Sequence, residues 1–224
     1  MKQLDFEHGT VTGNILGAAV PMLVAQILNL LYNIVDRIYI ARIPDIGTAA
    51  LGAVGLCFPI IVVITAFSNL FGSGGAPLFA IARGSGDKAR AGLILNLACT
   101  LLLCCAGVLM VIGLLFAQPI IRLFATDPAV VDLGVRFLRT SALFYMLPAA
   151  TNGIQGFFRG MGDLKVTLNS SMLNMGGRVA AAALFVLVMK RDIEALPFSY
   201  AVGWLLMLLY ELPMLVRFLR SSEM

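Results

Sequence analysis

A chain of 224 residues that is 60% hydrophobic and only 12% charged, with a mean hydropathy of +0.94, carries more apolar surface than a soluble core of its size can hide. Its net charge of +4 is small and spread over connecting loops, which argues against nucleic acid as a partner and for lipid as the solvent of much of the chain. No nucleophile–base pair or metal-ligand cluster stands out, so an enzyme is the least favoured class.

The amino-terminal segment holds Asp5, Glu7 and the lone His8, acid where a secretory signal needs positive charge. The apolar run behind it is too long for a signal core, so the first helix is expected to stay in the mature protein. That run, at about 14–42, contains Gln26-Ile-Leu-Asn-Leu-Leu-Tyr-Asn-Ile-Val-Asp36-Arg37. At about 100° per residue, Gln26, Asn29, Asn33 and Asp36 fall within roughly a quarter-turn of one another on one helix face. A carboxylate at bilayer depth costs about 2.5–3.5 kcal/mol on insertion scales, so it usually faces a protein interior or a wet cavity. Two readings of Asp36 stand: a proton or sodium acceptor in a partly desolvated cavity, or a solvated group near the helix end, paired with a nearby arginine.

Five further apolar segments follow at about 49–82, 88–118, 129–157, 164–189 and 195–219, each passing the ~20 residues a bilayer core needs. The expected architecture is an all-α membrane protein of six transmembrane helices in a single polytopic domain, 1–224. In the second segment, Phe71-Gly-Ser-Gly-Gly-Ala-Pro77 gathers helix breakers inside a crossing, which fits either a neighbour packed against small residues or a flexible kink. Arg83-Gly-Ser-Gly-Asp87, after that segment, recurs as Arg159-Gly-Met-Gly-Asp163. Gly ends one helix and Asp caps the next in both copies, and a duplicated helix pair is compatible with that role.

The third segment holds Cys99, Cys104 and Cys105, and the second Cys57, all in apolar runs without metal or disulfide spacing. In the fourth, Asp132, Arg136 and Arg139 share a face and read as a solvated ladder. The fifth carries Asn174 and Arg178; a buried guanidinium needs a partner or a route to the interface, so Arg178 either pairs with Asp36 or snorkels. In the sixth, Glu211 reads as an interfacial partner of Arg217. Phe144, Tyr145, Phe157, Phe158 and Trp204 suit core packing better than a cavity lining. Lys2, Arg83, Lys88, Arg90, Arg159, Lys165, Arg217 and Arg220 fall on one side. Arg37, Arg42, Arg122, Lys190 and Arg191 fall on the other, with Arg136 and Arg139 just inside, so both termini are expected to be cytoplasmic.

Several of these stretches resemble the multidrug and toxic compound extrusion (MATE) family of cation-coupled exporters. Pro21, Leu31-Tyr-Asn-Ile-Val-Asp36, Leu51-Gly-Ala-Val-Gly55, Phe58-Pro59 and Gly72-Ser-Gly-Gly-Ala-Pro77 look like the first two helices of bacterial members, and Arg83-Gly-Ser-Gly-Asp87 like the loop that follows. From about residue 119, Phe124-Ala-Thr-Asp-Pro128, Ile154-Gln-Gly-Phe-Phe-Arg-Gly160 and Gly203-Trp204 look more like the family's second lobe. The resemblance implies a fold of two six-helix lobes, of which this chain supplies one lobe's worth. It also implies a cation-coupling role for Asp36, with Na+ or H+ as the coupling ion and no other cofactor. The family's second carboxylate, on the fifth helix, is absent: four residues after Asn174 stands Arg178.

The function expected from this is secondary active export of small, drug-like, often cationic organics by Na+ or H+ antiport across a bacterial plasma membrane. Gln26, Asn29, Asn33, Asn174 and Arg178 are the candidate cavity residues, and any Na+ would sit at Asp36. Membrane lipids and a second copy, or another half, are the expected partners. Flipping of lipids or lipid-linked sugars, and a non-transporting assembly partner or inactive shortened exporter, are the alternatives.

Overall fold

The computed structural model describes residues 10–189 and 192–223. Lys2, Asp5, Glu7 and His8, and the connector residues Lys190 and Arg191, lie outside the described residues.

Among the described residues every regular element is helical: α1 (Val11–Ala41), α2 (Gly47–Gly84), α3 (Lys88–Arg122), α4 (Pro128–Ala142), α5 (Met146–Gly160), α6 (Leu164–Ala183) running into a π-helical turn (Leu184–Val188), and α7 (Ala195–Glu223). Side-chain oxygens open several of them. Thr10 Oγ1 accepts from Gly13 N at 3.2 Å, Asp87 Oδ1 from Arg90 N at 2.9 Å, and Asp127 Oδ1 from Ala129 N at 2.9 Å ahead of Pro128. Five helices are long and apolar enough to cross a bilayer: α1, α2, α3, α6 with its π turn, and α7.

The fourth expected crossing is not one helix but two, of 15 residues each. Pro148, in the first turn of the second of them, weakens the junction. It has no N–H to give to the carbonyl of Phe144, and its ring would collide with that carbonyl in a continuous helix. The chain tightens instead: Phe144 N bonds Ser141 O at 3.0 Å, Tyr145 N bonds Ala142 O at 3.2 Å and Leu147 N bonds Phe144 O at 2.9 Å.

The glycine cluster of α2 serves packing, and the helix runs unbroken through Pro59 and Pro77. A Cβ on Gly72 would stand 3.1 Å from Asn152 O of α5, and one on Gly75 would stand 3.0 Å from Ala98 Cβ of α3. The two Arg-Gly-x-Gly-Asp turns share their backbone geometry, but only Asp87 caps the next helix through its side chain, and Asp163 makes no such bond. Gly86 and Gly162 take φ of 77° and 76°, and their N–H groups bond Arg83 O at 3.0 Å and Arg159 O at 3.1 Å.

Both turns lie at one end of the bundle. There Phe79, Ala82 and Ala91 pack with Phe157, Phe158 and Val166, against Phe218 near the end of α7. The guanidinium of Arg83 lies 4.4 Å over the Phe218 ring. A second cluster closes the opposite end, where Ile40, Ala53 and Cys57 meet Ile121, Phe137 and Leu196. Between the two ends the bundle is polar inside, and that is where the candidate residues converge.

Candidate functional site

Helices α6 and α7 follow one another through a short connector and pack antiparallel. Two glycines set their separation: a Cβ on Gly177 would strike Leu206 and stand 3.9 Å from Gly203 Cα. A Cβ on Gly203 would strike Asn174 Oδ1 and lie 2.5 Å from Arg178 Cγ. Small residues thus bring two backbones close and leave room for polar side chains beside them. Along α6, Ser170, Asn174 and Arg178 recur every four residues and form one stripe. Facing them on α7 are Glu211, Met207 and Tyr200, in the opposite chain order.

Asn174 and Arg178 of α6 and Tyr200 and Met207 of α7 line a cavity of about 620 Å³, bordered elsewhere by α1, α2, α4 and α5. All six candidates from the sequence line it: Gln26, Asn29, Asn33 and Asp36 from α1, and Asn174 and Arg178 from α6. Their partners differ in part from expectation. Asp36 is not solvated at its helix end; it is 3% exposed and takes Arg178 Nη2 on Oδ2 at 2.9 Å. Arg178 is 5% exposed, so the pair is held wholly inside the protein. Its guanidinium carbon sits 4.1 Å over the Tyr32 ring and 3.8 Å over the Tyr200 ring, a cation clamped between two aromatic faces. Asp36 Oδ1 and Arg178 Nε have no hydrogen-bond partner.

The amides of α1 do not orient the carboxylate. Asn33 Nδ2 donates back to Asn29 O at 2.8 Å, and Asn29 Nδ2 to Gln26 Oε1 at 3.5 Å, so these bonds run along the helix. Asn174 Nδ2 points at Met207 Sδ at 2.7 Å, and its Oδ1 is buried without a partner.

Other charges lie elsewhere than the spacing suggested. Arg136 does not join a ladder with Asp132; it reaches the segment before α7, with Nη1 2.7 Å from Asp192 Oδ2 and Nε 3.1 Å from Glu194 Oε1. Glu211 is fully buried rather than interfacial. Six positions put Arg217 about 120° away round the helix by the shorter arc, off the face that Glu211 occupies. Glu211 Oε1 instead accepts from Ser170 Oγ, which in turn accepts from Gln155 Nε2 at 3.4 Å. Tyr145 and Trp204 line the cavity, whereas Phe157 and Phe158 pack in the core and Phe144 packs on Phe198 at 5.7 Å.

Tyr32, Tyr200, Gln155 and Ser170 complete the site and were not singled out from sequence. Tyr32 had a signal, since it precedes Asp36 by four residues on the same face. The other three sit on helices whose inward faces only packing reveals.

Chemically the cavity is a polar chamber with one paired carboxylate, one immobilised cation, several amides and aromatic edges. With Arg178 on Oδ2, one side of the Asp36 carboxylate is taken by a guanidinium, and Oδ1 remains open.

The family model described as MatE matches residues 21–184, in one piece across position 119 where the motif resemblance changes character. The chain is 27% identical over 76% of its length to a probable multidrug resistance protein, YoeA, of Bacillus subtilis, covering 36% of that protein. It is 23% identical over 95% of its length to YpnP of the same organism, another probable multidrug resistance protein, covering 47% of it. It is 20% identical over 88% of its length to the multidrug export protein MepA of Staphylococcus haemolyticus, covering 43% of it. The chain therefore spans half or less of the length of these curated relatives. Among solved structures, a MOP superfamily transporter from Pyrococcus furiosus, described by a reversed polarity of its binding pocket, superposes with a TM-score of 0.83 at 20% identity, over 94% of this chain and 46% of that one. A MATE structure in the bent conformation superposes with a TM-score of 0.82 at 21% identity, again over 94% and 46%.

Proposed function

The chain belongs to the MatE family, and from that membership we propose that it forms one lobe of a secondary exporter of small organic compounds. The observation that carries this reading is the Asp36–Arg178 ion pair, buried at 2.9 Å in the wall of a chamber large enough for a small molecule. Charges are kept at such depth where they bind or move something. We further propose H+ over Na+ as the coupling ion. Arg178 already neutralises Asp36 through Oδ2, and the one open oxygen, Oδ1, offers a proton its single site but not the several oxygens a metal cation needs.

The proposed setting is a bacterial plasma membrane, crossed several times, with both termini on the cytoplasmic side, the side of the two Arg-Gly-x-Gly-Asp turns. Alternating access needs two lobes around a central site. The proposed working unit is therefore a homodimer or a pairing with another half. The exposure of α1 supports this: among the described residues of its most apolar stretch none is buried.

The test is cation-dye accumulation in proteoliposomes under an imposed pH gradient, with the oligomer mass measured in the same lipid. Wild-type protein is expected to accumulate dye as a dimer, and Asp36→Asn to insert but not accumulate. Unchanged transport by Asp36→Asn, or transport by a strict monomer, overturns the reading.

A second reading is flipping of lipids or lipid-linked sugars. The observation favouring it is that, beyond the neutral Asp36–Arg178 pair, the charged groups lining the chamber, Arg37 and Arg159, are positive, which suits an anionic headgroup. Headgroup-dependent scrambling without dye export selects this alternative. Neither activity in an intact dimer selects a non-transporting role.

A further inference from the structure

One buried ionisable group has no place in the pairing of Asp36 with Arg178. Glu211 lies on α7 with its side chain fully buried, among Ser170 of α6 and Gln155 of α5. Its Oε1 accepts the Ser170 hydroxyl; its Oε2 is buried with no hydrogen-bond partner. No ion pair to Glu211 forms among the described residues. Arg159, the charged group facing it from α5, spends its Nε on Gln155 O at 3.2 Å and feels Glu211 only at longer range. From α6, Lys165 is exposed and Arg178 is taken by Asp36. On α7 itself, Arg217 is exposed. From α4, Arg136 is held by Asp192 and Glu194, while Asp132 and Arg139 are exposed.

From the buried carboxyl with one open oxygen, its hydroxyl donor and its unpaired state, we infer that Glu211 is a second proton-binding site, set into the wall between α5, α6 and α7. Ser170 and Arg178 stand eight residues apart on α6, about 12 Å along the helix axis. The chain therefore carries acids at two levels, Asp36 deep in the chamber and Glu211 nearer the end with the Arg-Gly-x-Gly-Asp turns. Gln155 and Arg159, which border Glu211, line the cavity, so the two levels share one chamber. Only Oε2 is free, and a metal cation needs a shell of several oxygens, whereas a proton needs one. The step is a simple association: a proton binds a Glu211 oxygen to give the neutral acid and leaves by the same bond. The inference rests on the transport reading only for what the second proton is used for.

The experiment is infrared difference spectroscopy of the full-length chain in lipid, titrated across the pH range in which it stays folded. A carboxylic C=O band is expected to rise and fall with pH, to vanish in Glu211→Gln and to persist in Asp36→Asn. Ser170→Ala, which keeps the carboxyl but removes its donor, is expected to shift the band's frequency. A spectrum identical in wild type and Glu211→Gln overturns the inference. Should Glu211→Gln not fold, a band left unshifted by Ser170→Ala overturns it equally. A titrating Glu211 band in a protein that exports no dye overturns the transport reading alone and upholds the site.

Discussion

Asp36 of α1 and Arg178 of α6, 142 positions apart in the chain, meet through Oδ2 and Nη2 at 2.9 Å, out of reach of solvent. The contact ties the first helix, most of whose surface faces outward, to the body of the bundle. Removing two charges from water is expensive, and such a pair holds only while both members are present.

A double-mutant cycle measures that dependence. Asp36→Asn or Arg178→Met alone is expected to destabilise the folded chain by about 3–5 kcal/mol, because each strands a buried partner. The double variant is expected to regain most of the loss. Unfolding in detergent micelles reads all four corners. Simple additivity of the two single losses would mean that the groups do not interact.

Gly203 is the structural condition for the pair. A methyl group there lies 2.5 Å from Arg178 Cγ and 3.1 Å from Cδ. Gly203→Ala is therefore expected to push Arg178 off Asp36 and to cost about 1–3 kcal/mol by overpacking. Melting temperature in detergent checks this. A variant as stable as wild type would show that α6 and α7 can separate freely.

The polar stripe of α1 makes a prediction about water. Asn33 lines the chamber, whereas Leu31, about 160° round the helix from it, is 48% exposed on the outside of the bundle. With the four native cysteines replaced by alanine, a hydrophilic maleimide is expected to label Asn33→Cys and to leave Leu31→Cys unlabelled in a bilayer. Mass spectrometry of intact protein reads the outcome. Equal labelling would place both faces of α1 in one environment.

Arg136 offers a contrast in magnitude. Its contacts to Asp192 and Glu194 are short, but its side chain is 35% exposed and theirs are 37% and 34%. Screening by solvent limits such a cluster, so Arg136→Gln is expected to cost no more than about 1 kcal/mol, and less at high salt. Denaturation at two ionic strengths tests it. A loss as large as that of Arg178→Met would show that this connector anchors α7.

Much of the site was legible because helices are periodic. Steps of three and four put Gln26, Asn29, Asn33 and Asp36 on one face, and the cost of an intramembrane charge picked out Asp36 and Arg178. The two crossings expected between the Arg-Gly-x-Gly-Asp turns put both turns at one end of the bundle. Glu211 was misjudged, since nearness in the chain to Arg217 outweighed the helical angle that separates them. Pro148 was passed over inside an apolar run, although it stands just past the tightened turn that divides the fourth crossing. Arg136 was assigned to its own helix because a spacing of four cannot reveal acids that arrive from another segment.

Hydropathy and helical spacing are properties of neighbours in the chain. By themselves they determined an all-helical membrane protein, its connecting turns and the polar face of its first helix, while the fourth of the six expected crossings proved to be two short helices. Which groups meet across helices is decided by how closely two backbones can approach, and that distance depends on glycines such as Gly177 and Gly203 and on whatever stands opposite them. Only the tertiary structure could therefore assign Arg178 to Asp36 between two tyrosines, and bury Glu211 against Ser170 without a counter-charge.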